Sequence, residues 1–295
     1  MTSTKSGYEI ITDSPASVAW DEYVSKSRIE YGELLKQPRT DEKTLHSFFE
    51  RNPSWMLGAF QLNGPSGHLP YANTLISQPT LTSATILRKP DFMWLSQNSL
   101  GFSPIIIEIE KPEKLIFTKA NVQSADFTQA LNQINEWKAI LSDDINRQLF
   151  YNTFNLSERE RKKVFSPQFG LIFGRRAEFE NNQDLTRLRA YLATESVHLI
   201  SYDRIHEMGP EYKAQNLFCC KCSNGNYNVI TIPPTFRYEP LNAEGLMLVD
   251  GFVEAIKNME LVTEERKIFL KERHSYWLEY GSSQGMKAGN LSDSE

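Results

Sequence analysis

The run Ile105-Ile106-Ile107-Glu108-Ile109-Glu110-Lys111 constrains this chain more than any other segment. Side chains alternate across a strand, so Ile105, Ile107 and Ile109 share one face and Glu108 and Glu110 the other, about 7 Å apart. Three consecutive isoleucines suit a strand covered on both sides. Carboxylates on a covered face are costly, because each needs a proton, a cation or hydrogen-bond donors. A divalent metal meets that need, and Mg²⁺ takes one or two carboxylates while keeping several waters.

A third acid precedes this strand. In Arg88-Lys89-Pro90-Asp91-Phe92 the proline lacks a backbone donor and suits the end or edge of a strand. Strands joined by a short connection pair with each other, so Asp91 can approach Glu108 across the inter-strand gap of about 5 Å. Asp91 and Glu108, with the Ile109 carbonyl as a further oxygen, make a hard-cation site for Mg²⁺ or Mn²⁺.

The rest of the chain reads as α/β. Residues 1–40 form an N-terminal arm, partly helical over Val18 to Leu35. Residues 41–210 form a core in which strands at 85–95, 103–111, 168–173 and 197–201 alternate with helices at 125–141, 157–163, 184–193 and 202–208. Thr40 or Asp41 caps a helix that ends before Pro53, and residues 61–83 read as a loop with one irregular strand. Residues 211–295 carry a hairpin about Ser223-Asn224-Gly225, helices at 244–257 and 263–280, and a frayed tail.

Composition narrows the class. No run of eighteen apolar residues occurs, so no membrane span is expected. The N-terminus lacks the pattern of a secretory signal, and the three cysteines crowd at Cys219, Cys220 and Cys222. The expected setting is a reducing cytoplasm. A net charge of −5 argues against a protein that coats nucleic acid through bulk charge, yet allows a carboxylate-lined metal centre.

Pro90-Asp91 followed by a hydrophobic strand ending in Glu108-Ile109-Glu110-Lys111 resembles the PD-(D/E)xK nuclease superfamily. The order of further features resembles the Shedu anti-phage nuclease domain over residues 41–208. Those features are Glu50 before Asn52-Pro53, Gln129 and Gln133 on the next helix, Phe169 to Arg175, and Ile200 to Ile205. The resemblance implies a restriction-endonuclease-like mixed sheet flanked by helices, with the C-terminal hairpin and helices added. It also implies metal-dependent cleavage of DNA in defence against phage, by a homo-oligomer. The superfamily's usual lysine is replaced by Glu110, and Lys111 and Lys89 are alternative sources of that cation. A catalytically inactive nucleic-acid-binding or interaction module on the same fold is the rival reading.

Phosphodiester chemistry distributes the roles. Asp91 and Glu108 are the expected metal ligands, and Glu110 or a lysine orients or deprotonates the water. Glu50 is carried over as a helix-borne ligand or water-mediated contact. Gln129 and Gln133, four residues apart on one helical face, can hold the scissile phosphate or steady a carboxylate. Arg175-Arg176 is a further phosphate-contact candidate. The cysteine cluster reads as a structural strand, since no second pair completes a zinc site.

Overall fold

In the computed structural model, residues 2–5, 8–37, 39–62, 69–82, 87–239, 243–284 and 295 are described. The N-terminal arm contributes β1 (Thr2–Lys5), β2 (Tyr8–Ile11) and α1 (Trp20–Lys36). Then come α2 (Glu42–Arg51), β3 (Leu69–Ser77), β4 (Leu81–Thr82), β5 (Leu87–Arg88), β6 (Phe92–Gln97) and β7 (Gly101–Ile109). Helices α3 (Ala125–Ser142), α4 (Asp144–Thr153) and α5 (Glu158–Arg161) lead to β8 (Val164–Phe165) and β9 (Gln168–Ile172). The alternation continues through α6 (Gln183–Leu192), β10 (Val197–Ile200) and α7 (Tyr202–Met208). The C-terminal part holds β11 (Phe218–Ser223), β12 (Asn226–Thr231), α8 (Ala243–Leu246), β13 (Val249–Asp250), α9 (Phe252–Lys257) and α10 (Glu264–Gln284).

The expected class is observed: a mixed sheet flanked by helices, in the order β10-β9-β7-β6-β3-β11-β12-β13, with β8 beside β7. Strand β7 is central, between antiparallel β6 and parallel β9, and a hydrophobic cluster on each face of the sheet gives it the two-sided cover that its isoleucines require. Alternation holds. Ile105, Ile107 and Ile109 belong to the same hydrophobic cluster as Leu45, Phe48 and Phe49 of α2, whereas Ile106 belongs to the cluster that holds Phe127, Ala130 and Ile134 of α3. Glu108 and Glu110 therefore point toward the α3 side. Helix α2 starts where the sequence places it, with the Asp41 side chain accepting from the Thr44 N–H at 2.7 Å.

Several expectations need correction. Residues 69–77, read as loop with an irregular strand, form β3 in the middle of the sheet. Its register shifts between Pro70 and Leu75, where Ala72 and Asn73 take positive φ, and that irregularity masks the alternation. The strand read over 85–95 is broken at Pro90: β5 pairs with β4 in a separate ribbon, and only from Phe92 does the chain join the main sheet. Residues 85 and 86 of that reading lie outside the described residues. Helix α4 was not anticipated, although Asp143 caps it through the Asn146 N–H. The helix read over 244–257 is divided by Gly251, whose φ of 74° interrupts helical geometry. The hairpin is where expected, with Asn224 and Gly225 both at positive φ, as a tight primed turn requires. It also extends the sheet, because β11 runs parallel to β3.

Candidate active site

Asp91 follows the proline break and sits one step beyond the Phe92–Ile107 pairing, which sets it opposite Glu108. The Ile109 N–H donates to Asp91 Oδ2 at 2.9 Å, and the Asp91 N–H donates to the Glu108 carboxyl. Two main-chain donors thus hold the two carboxyls against each other. Burial, the largest influence on both, pushes Glu108 up to about 10 and Asp91 up to about 7. The hydrogen bond between them raises Glu108 and lowers Asp91, so Glu108 holds the shared proton. Glu108 Oε2 is buried without a hydrogen-bond partner.

Glu110 continues the acidic row but is differently supported. Its Oε2 accepts from Lys114 Nζ at 2.6 Å, its N–H donates to the Ile172 carbonyl at 2.9 Å, and its carbonyl accepts from the Tyr202 hydroxyl. Lys114 arrives on a tight turn closed by its N–H to the Lys111 carbonyl at 3.1 Å. It also stands 3.5 Å from Asp126 at the start of α3. The cation beside Glu110 is therefore Lys114, while Lys111 and Lys89 are exposed. Ile109 meets the pair through its N–H.

The helical residues divide. Glu50 Oε1 accepts from Ser77 Oγ at 2.5 Å and lies 3.4 Å from Lys221 Nζ and 3.7 Å from His46 Nδ1. It joins the centre through β3, because the Gln78 N–H donates to the Asp91 carbonyl at 2.7 Å. On α3, which covers the face of Glu108, Gln133 has a buried Oε1 without a partner, whereas Gln129 is exposed. Arg175 is committed to Asp203, at 2.7 Å, and to the Leu35 carbonyl; Arg176 pairs with Glu207. Both guanidiniums are thus paired within the fold, that of Arg176 in a half-exposed ion pair. Cys219 and Cys220 are buried in β11, as a structural strand requires.

Four contributors were missed. Glu42, His46 and Glu50 repeat every four residues and so share one face of α2, a signal present in the sequence. Burial and the Glu110 charge raise the Glu42 carboxyl above its ordinary value. His46 stacks on Phe92 with centroids 4.4 Å apart; burial lowers its pKa and its Nε2 has no partner. Lys114, four residues after Glu110, was legible as a spacing. Lys221 was not, since only the β3–β11 pairing brings it near Glu50.

Fold and site define a class: an α/β protein that gathers a buried carboxyl pair and further acids where β6 begins and β7 ends. The family model described as Shedu protein SduA, C-terminal, matches residues 39–205, more than half of the chain, and the chain belongs to that family. None of the curated proteins compared with it matches. The matched span contains Asp91, Glu108, Glu110 and Lys114, while Lys221 lies beyond it. Among the described residues, no helix is long and apolar enough to cross a membrane.

Proposed function

We propose that this protein is a metal-dependent nuclease that cleaves DNA phosphodiester bonds in anti-phage defence. The observation that carries this reading is the buried Asp91–Glu108 pair, whose carboxyls tolerate each other only through a shared proton or a cation. The donor set fits Mg²⁺ or Mn²⁺, because it is all oxygen and Glu108 Oε2 lacks a partner. Among the described residues no group of three or more His, Cys, Asp and Glu side chains could hold a metal. A cation at this pair would complete its shell with main-chain oxygen and water, as Mg²⁺ commonly does. Bound there, it would polarise a phosphoryl oxygen and acidify a water.

The chain's own residues supply the rest. Asp91 and Glu108 fix the position of the centre, and the Ile109 N–H keeps Asp91 in place. The Glu110–Lys114 pair presents a proton-transfer group beside it. Gln133 is a polar contact for substrate from the α3 side. Membership of the Shedu family supports the defence role; self-association into a homo-oligomer and action in the cytoplasm complete the proposal.

The deciding experiment incubates wild type and Glu108→Ala with linear and circular DNA, with and without Mg²⁺, and follows metal binding by calorimetry. Cleavage by wild type alone, and only with metal, is expected. Equal cleavage by the variant would overturn the assignment. Metal and DNA binding without cleavage would favour the alternative, a non-catalytic nucleic-acid-binding or interaction module. That alternative draws on Glu110, which stands where the superfamily motif has lysine.

A further inference from the structure

The second concentration of buried charge lies outside the family match, where α10 meets the arm and the segment after β12. Arg266 is 0% exposed and Arg273 5% exposed, both on α10, and Arg237 approaches from the segment after β12. Burying guanidinium groups together is tolerable only with an anion and acceptors around them. The acceptors are main-chain: Arg266 donates to the carbonyls of Pro15 and Phe236, each at 2.8 Å, and Arg273 to that of Glu9 at 2.9 Å. Two anions meet them: the Glu9 carboxylate, half-exposed and 3.6 Å from Arg273 Nη1, and the buried Glu295. Glu295 Oε1 lies 2.6 Å from Arg266 Nη2 and 3.1 Å from Arg237 Nε, and its main-chain oxygen accepts from Arg273 Nη2 at 2.6 Å. The Glu295 N–H donates to the Tyr238 carbonyl at 2.7 Å.

We propose that Arg237, Arg266 and Arg273 form a carboxylate-receiving pocket whose resident ligand is the Glu295 side chain of the same chain, and that its occupancy fastens the arm and α10 together. Burial decides the ligand class. A fully buried Arg266 can be reached by a slender acidic side chain but not by a nucleic-acid backbone, which needs an open basic surface. The pocket is also incompletely saturated: Arg266 Nε, Arg273 Nε and Glu295 Oε2 are buried without partners. An arrangement with spare donors on both guanidiniums can exchange one carboxylate for another.

The test uses the full chain carrying Glu295→Ala. Its melting temperature is expected to fall by roughly 6 °C or more, as for removal of one partner from a buried ion pair. A synthetic peptide with the sequence of residues 290–295, Asn-Leu-Ser-Asp-Ser-Glu, supplied at millimolar concentration, should restore much of that loss. The same peptide ending in Gln should not, and wild type should respond to neither. Arg237→Ala combined with Glu295→Ala should weaken the peptide response while leaving the partners of the buried arginines on α10 in place. An unchanged melting temperature in Glu295→Ala, or equal responses to the two peptides, would overturn the proposal. Should Glu295→Ala prove insoluble, Glu295→Gln removes the charge with little change of shape and is read in the same way.

Discussion

The Asp91–Glu108 pair makes stability a function of pH and metal, and replacing Glu108 with Gln exposes the link. An acid whose pKa is raised in the folded state stabilises the fold while it keeps its proton. That stability is complete below the ordinary value of 4.5 and is lost as pH climbs toward the folded value of about 10. Between pH 6 and 8 the folded protein therefore holds about one proton more than the unfolded chain at Glu108. The slope is then about −1.4 kcal/mol per pH unit, or roughly 3 kcal/mol across the interval. Asp91, raised from 3.8 to about 7, adds in the same direction up to neutrality. At about 2 °C per kcal/mol for a chain of this size, the melting temperature in chelator should drop by roughly 6 °C from pH 6 to pH 8. Glu108→Gln cannot ionise and still offers Asp91 a hydrogen-bond donor, so its melting temperature should vary far less and exceed that of wild type at pH 8. Saturating Mg²⁺ should flatten the wild-type slope and leave the variant unmoved. Thermal unfolding at three pH values, with and without metal, reads all of this. Parallel pH slopes in wild type and Glu108→Gln would refute the reasoning.

Lys114→Ala should lower DNA cleavage by about 10²-fold, within the range for loss of a proton-transfer group, while Lys111→Ala changes it only a few-fold; single-turnover rates on one duplex decide between them. Gly174→Ala should damage both fold and activity. Its φ of 65° is unfavourable for alanine, and a Cβ there would stand 2.8 Å from the carbonyl of Lys114. An unfolding free energy from urea titration lowered by more than about 1 kcal/mol, with cleavage reduced in the protein that remains folded, is the expected result. Exchanging the charges of Glu110 and Lys114 tests their pairing. Glu110→Lys alone sets two cations together and should destabilise, and adding Lys114→Glu should recover about 1–2 kcal/mol of coupling in a double-mutant cycle.

The parts of this fold legible in the sequence are those in which one local rule dominates. Alternation around Ile105–Ile109 gave the two faces of β7 correctly, and the Asn224-Gly225 turn identified its hairpin. Helix α3 was readable from its stripe of Phe127, Ala130 and Ile134. Reading failed where backbone geometry overrides periodicity. Positive φ at Ala72 and Asn73 hides β3, and Gly251 divides what composition presents as one helix. Lys221 shows a deeper limit, since its place beside Glu50 depends on a pairing between strands about 150 residues apart in the chain.

The pairing of Glu110 with Lys114 rather than Lys111 follows from the same geometry. Strict alternation puts Lys111 on the face opposite Glu110, and twisting the strand end to bring it round would break the Glu110 N–H bond to Ile172. The chain instead leaves β7 after Ile109, turns between Lys111 and Lys114, and returns a lysine to the acidic face from outside the strand. The turn is held twice: Gly174 approaches the Lys114 carbonyl closely, and Glu178 accepts the N–H groups of Ile116 and Phe117 at 3.0 and 2.8 Å. A lysine carried on the strand has its position fixed by register. One carried on a turn that β9 and its following loop hold in place has its position fixed by tertiary packing, so the local charge balance depends on an intact fold as well as on the acidic row of β7.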